Sequence, residues 1–140
     1  MTYHEFAIRL LAGIGAGLLI GIEREWQNKP AGLRTNTLVA TGSALFVLLS
    51  INMTQESGDV TRIIAQVVTG IGFLGAGIIF KEGSNIYGLT TAATIWCSAA
   101  VGCLAAAGYF VETLIGVTAI IFINLILIPV DKWLSNKRKE

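Results

Sequence analysis

The chain has 140 residues, of which 54% are hydrophobic and only 14% charged, with a net charge of +1 and a mean hydropathy of +0.69. Soluble domains carry about 25% charged residues, and a nucleic-acid-binding domain needs a basic surplus that is absent here, so both classes are excluded and a membrane protein is expected. The one histidine, His4, lies at the extreme N-terminus; with no Ser/His/Asp or Cys/His set and no Walker-type loop, no enzyme is expected either.

Apolar runs close to the roughly 20 residues a spanning helix needs fall at 5–22, 34–53, 61–80, 89–107 and 109–130. The expected fold is an all-α polytopic membrane protein with about five transmembrane helices. The first run is not a cleavable signal, because "MTYHEF" has no basic region and no small-residue cleavage site follows it. Glu5 and Arg9 stand one helical turn apart and are expected to pair. Gly13, Gly17 and Gly21 are spaced by four along one face, the pattern that lets two helix backbones approach closely in lipid. Spacing leaves open whether that contact is within one chain or between copies, so a homo-oligomer stays open.

Between the first two runs lies "GIEREWQNKPAGLRTN". Glu23 and Glu25 sit at the C-terminal end of helix 1 and Arg34 at the N-terminal end of helix 2, and both placements run against the helix dipole. A Glu–Arg pair across the hairpin would offset both costs, while Trp26 suits a membrane interface and Pro30 with Gly32 turns the chain. Glu23, Arg24, Glu25, Lys29, Gly32, Arg34 and Thr35 are therefore a candidate functional cluster. Two readings stay open: a structured cluster that recognises a partner or ligand, or topology signals that touch anionic lipid.

In the third run "GIGFLG" (70–75) matches the dinucleotide pattern G-x-G-x-x-G, but it lies inside an apolar span whose backbone must bond within its own helix, so the match is rejected. Gly70, Gly72, Gly75 and Gly77 thin this helix on more than one side, which suits a central position. In the fourth run Cys97 and Cys103 are about 9 Å apart along one helix, too far for a disulfide, and read as free thiols. A tight turn is expected at Gly108-Tyr109. The fifth run carries Glu112 and Asn124, the best intramembrane candidates for a cation path, to which Gln66, Thr69, Thr91 and Thr94 could add neutral oxygens. One carboxylate is thin for a divalent ion, and Asn124 reads better as an interhelical hydrogen bond.

Lys and Arg are retained on the cytoplasmic side. Five spans place Arg24, Lys29, Arg34, Lys81, Lys132, Lys137, Arg138 and Lys139 on one side against Arg9 and Arg62 on the other, which together are all 10 basic residues. The expected topology is N-terminus out, C-terminus in. A weak internal repeat adds to this: "GIGAGLLIG" and "GIGFLGAG", then "GLRTNTLVATGSA" and "GLTTAATIWCSAA", recur 56 or 57 residues apart. This suggests two helical hairpins in the same orientation, with helix 5 unpaired and the two inner loops meeting.

"GIEREWQNKPAGLRTNTLVATGSALF", "RIIAQVVTGIGFLGAGIIFKEG" and "GLTTAATIWCSAAVG" closely resemble the membrane domain of the bacterial MgtC/SapB family over about residues 10–110. On that resemblance Glu23, Arg24, Ala31, Gly32, Leu33, Arg34, Thr35, Gly72, Gly75, Gly77, Thr91 and Trp96 fall on signature positions, Cys97 on a cysteine found in the family, and Thr90 where some members carry Asn. The resemblance implies a multi-pass protein of the bacterial inner membrane that acts in adaptation to low magnesium and, in pathogens, in virulence and survival inside macrophages. Such proteins are described as regulators of other membrane proteins, the ATP synthase among them; a magnesium transporter or channel is the alternative. No cofactor is expected, with Mg2+ left open, and the partners implied are the lipid bilayer, other membrane proteins and further copies of the chain. Members often continue into a cytoplasmic domain resembling the ACT fold. This chain stops at "DKWLSNKRKE" and is expected to be a single transmembrane domain over 1–140 with no soluble C-terminal domain.

Overall fold

The computed structural model describes residues 1–54 and 59–137. Five helices carry the fold: α1 (Tyr3–Trp26), α2 (Leu33–Met53), α3 (Val60–Ile78), α4 (Leu89–Ala107) and α5 (Phe110–Lys137). All five are long and apolar enough to cross a membrane. Arg138 and Lys139 lie outside the described residues.

Boundaries moved where polar groups found partners inside the structure. α1 begins earlier than expected because Thr2 and Glu5 form a reciprocal capping box, Thr2 Oγ1 accepting from Glu5 N at 3.2 Å and Thr2 N donating to the Glu5 carboxylate at 2.8 Å. Arg9 makes no direct ion pair with Glu5 among the described residues, although its charge acts on that carboxylate, and it donates to Ala106 O at 3.1 Å, at the C-terminal end of α4, where a cation complements the dipole. α1 also runs on through Glu23, Arg24 and Glu25 to Trp26. α5 passes through Pro129 to Lys137, seven residues beyond the expected end at 130.

Between α3 and α4 the chain forms an antiparallel hairpin, β1 (Phe80–Glu82) and β2 (Asn85–Tyr87), with Phe80 opposite Tyr87 and their rings stacked at 5.3 Å. The expected helix to residue 80 thus stops at Ile78. Gly88 closes the hairpin at φ 86°, and a Cβ there would lie 2.3 Å from Ile78 O, so only glycine lets the two legs meet. Gly108 at φ 89° ends α4 in the expected turn, with Tyr109 N donating to Leu104 O at 3.1 Å.

α4 is the central helix, packed on α1, α2, α3 and α5. α1, α2 and α4 are sealed by glycine. A Cβ on Gly17 would lie 2.7 Å from Thr37 Cα, one on Gly21 2.7 Å from Leu33 Cα, and one on Gly102 2.3 Å from Ala40 O. Gly13 faces Ala44 in the same row. The stripe on α1 is therefore a contact within the chain. α3, expected to be central, is instead the most exposed helix, with only Val67 and Gly75 buried. Gly70, Gly72 and Gly77 meet no atom of the chain within 4 Å of a built Cβ, and Gly75 meets Ala92 at an ordinary 3.6 Å.

Candidate functional site

At the turn joining α1 to α2, buried polar side chains from α1, α2 and α4 converge with the half-buried Asn124 of α5. Arg24 is 2% exposed and Glu23 6%. Lipid or apolar surroundings make an unbonded charge costly, so each must be held. Arg24 Nη2 donates to Pro30 O at 3.0 Å and to Thr91 Oγ1 at 2.8 Å, tying the end of α1 to the turn and to the first turn of α4. Its Nε is buried with no hydrogen-bond partner. Glu23 accepts from Asn124 Nδ2 of α5 at 3.0 Å and from Gln27 Nε2. Asn124 thus makes the interhelical bond expected of it.

Asn36, fully buried in α2, completes the arrangement. Its Nδ2 donates to Gly32 O at 3.0 Å and to Ala31 O, and its Oδ1 accepts from Ser98 Oγ of α4 at 2.8 Å. The turn needs this support. Asn28 and Ala31 hold φ of 53° and 54°, a left-handed conformation costing a non-glycine residue on the order of 1–3 kcal/mol. Arg24 and Asn36 grip the carbonyls of Pro30 and Ala31, and Lys29 N bonds Arg24 O at 3.0 Å. The sequence of the turn bends as it does because side chains outside it take up its main-chain acceptors.

The Glu–Arg pair expected across the hairpin is not made. Glu25 accepts instead from Leu33 N at 3.2 Å, supplying the N-terminal cap that Gly32 lacks. The carboxylate that opposes the dipole of α1 complements that of α2. A Cβ on Gly32 would sit on Glu25 Oε2, which places glycine there by close approach. Arg34 pairs with neither glutamate among the described residues. Arg34, Lys29, Thr35 and Glu25 are exposed, as is Trp26 at 86%. The result is a rigid turn with a charged, mainly basic outer face.

The remaining candidates lie apart from this clasp. Glu112 is exposed in the first turn of α5, where the dipole favours an anion, 12 residues or about 18 Å along the helix from Asn124. Thr90 is exposed while its neighbour Thr91 is buried in the clasp. Trp96 is half-exposed on an apolar cleft of about 390 Å³ between α3 and α4, which Cys103 also lines. Cys97 and Cys103 are free thiols. Among the described residues, no three His, Cys, Asp or Glu side chains come together as a metal-ligand set.

Asn36, Ser98 and Gln27 were not expected at this site. For Asn36 and Ser98 the signal was present: an amide and a hydroxyl within otherwise apolar spans mark positions that need a partner in lipid.

The MgtC family model matches residues 10–133. Protein MgtC of Salmonella typhimurium is 49% identical over 127 residues, 91% of this chain and 54% of that protein. Protein MgtC of Brucella abortus is 56% identical over 113 residues, covering 81% and 47%. An uncharacterised protein of Synechocystis is 47% identical over 137 residues, covering 98% and 58%. The chain spans about half the length of the curated relatives it matches. No solved structure matches.

Proposed function

The chain belongs to the MgtC family, and we propose that it is a non-enzymatic regulator of the bacterial inner membrane, acting in adaptation to low magnesium and in virulence by contact with other membrane proteins, the ATP synthase being one such partner. The carrying observation is that Arg24, the most deeply buried charge, bonds to the turn's main chain and to Thr91 rather than facing an open path. A cation path needs several oxygen ligands converging at depth. The clasp instead uses its polar groups to hold a turn in one shape, and so presents Glu25, Lys29, Arg34 and Thr35 as a preformed contact face. Preorganisation of this kind lowers the ordering cost of binding. With the N-terminus outside, this face is cytoplasmic.

The test is growth in low magnesium. Arg34→Ala, which alters only an exposed side chain, is expected to abolish growth while the protein still reaches the membrane at normal level, and Glu112→Gln to have little effect. The reverse pattern contradicts the proposal and favours ion transport.

A further inference from the structure

Polarity along the β1–β2 hairpin changes from base to tip. At the base, Ile79, Phe80, Ile86 and Tyr87 are between 39% and 58% exposed, while the tip consists of Glu82, Gly83, Ser84 and Asn85. The register sets Phe80 beside Tyr87 on one face and Lys81 beside Ile86 on the other, so apolar side chains occupy both faces and neither is turned to a core. The base is fixed in place, because Gly88 abuts Ile78 O and holds the foot of the hairpin against the end of α3. Arg24 of α1 bonds Thr91 in the first turn of α4, which puts the hairpin at the same end of the bundle as the charged turn.

Three limits set its depth. α3 and α4 have 19 residues each, about 28 Å of helix against a hydrocarbon layer of roughly 30 Å, so the residues adjoining their ends stand at the hydrocarbon boundary. Water is a costly surrounding for four large apolar side chains grouped on one small hairpin. Hydrocarbon is costly too, because a two-stranded sheet leaves one main-chain edge of each strand unpaired. The headgroup region alone supplies apolar contact and hydrogen-bond partners together.

We infer that the hairpin is a lipid anchor, seated by Ile79, Phe80, Ile86 and Tyr87 in the headgroup region of the leaflet at the charged-turn end, with its tip in water. The neighbouring surface says what covers it: the exposed side of membrane-spanning α3 faces lipid, and the apolar base of the hairpin continues that side without a break in the chain. Stacked aromatic rings, one with a hydroxyl, suit this depth, and Lys81, next to Phe80, stands where lipid phosphates attract a cation. The anchor has a task. α3 buries only Val67 and Gly75 against the rest of the chain, so lipid contact at its end, more than packing, holds it at its depth, whatever the contact face of the α1–α2 turn binds.

The full chain in nanodiscs of phosphatidylcholine and phosphatidylglycerol tests this, with Cys97→Ala and Cys103→Ala as background and a nitroxide on one added cysteine. Electron paramagnetic resonance then reads collisions with oxygen, which concentrates in hydrocarbon, and with a water-soluble nickel chelate. At Ile86→Cys, nickel collisions are expected to be about threefold fewer than at Ser84→Cys on the tip, yet more frequent than at Phe73→Cys on the exposed side of α3. Adding Phe80→Ser and Tyr87→Ser, which removes the stacked rings, should raise the value at residue 86 to that of the tip. Nickel collisions at residue 86 equal to the tip's with both rings present would place the hairpin in water, and shielding from nickel and oxygen alike would show a protein covering it. Either result overturns the inference, as does a value at residue 86 that ignores the loss of both rings.

Discussion

The bundle of α1, α2 and α4 and the peripheral helix α3 are both rich in glycine, yet their glycines do opposite things. Gly17, Gly21 and Gly102 bring backbones within the space of a missing Cβ, whereas Gly70, Gly72 and Gly77 face open surroundings. Polar groups divide in the same way. Asn36 accepts from Ser98 inside the bundle, while Gln66 on α3 is exposed and has no partner among the described residues. A glycine pattern in a membrane helix therefore reports close approach only when something has approached.

The sharpest way to break this contrast is one substitution in each region. Gly102→Leu drives a side chain into Ala40 O, 2.3 Å from where its Cβ would be, and overpacking against backbone costs about 3 kcal/mol or more. No folded protein is expected by size-exclusion chromatography in detergent, whereas Gly72→Leu, in open space, should elute as folded protein. Next in size is Arg24→Met, which removes bonds from a charged donor worth about 1.5–3 kcal/mol. It should lower the melting temperature and open the turn at 27–32 to protease. Asn124→Leu removes one interhelical bond from Glu23 and is expected to cost about 1 kcal/mol, seen as faster hydrogen exchange in α5 with the clasp otherwise intact.

The smallest effect belongs to the exposed start of α3. Asp59 accepts from the Thr61 hydroxyl and from Thr61 N at 3.0 Å, and these bonds hold its carboxyl below the usual range. A depressed folded value means that the cap's contribution is present above the unfolded value, about 3.9, and is lost as pH falls through the lower folded one. Hydrogen exchange at 60–63 should speed up only in that acid window, and Asp59→Ala should abolish the pH dependence.

Much of the fold was legible because lipid imposes simple requirements. Apolar length gave the five helices, and spacing by four on α1 marked a real contact face. What hydropathy could not show is where polar groups end up. α1 extends through Glu23 to Glu25 because each charge meets a partner, and the Glu–Arg pair failed because a main-chain N–H at Leu33 lay closer to Glu25 than any cation. The hairpin at Phe80–Tyr87 carried a two-residue Gly83-Ser84 turn that its short, exposed strands made easy to overlook. α3 was misplaced because glycine spacing states that a neighbour can come close, not on which side one has. Of the candidate site, the glutamates, Arg24 and Gly32 were readable from the turn, while Asn36 and Ser98 required knowing which helices face each other.

The central claim is that the buried charges fasten a contact face and do not line an ion path. Magnesium flux into liposomes holding the purified, folded protein tests it most directly. The account predicts flux no greater than in protein-free liposomes, with Arg34→Ala and Glu112→Gln indistinguishable from the unmutated chain. Flux that disappears in Glu112→Gln would contradict it and make the charged turn a matter of packing and topology alone.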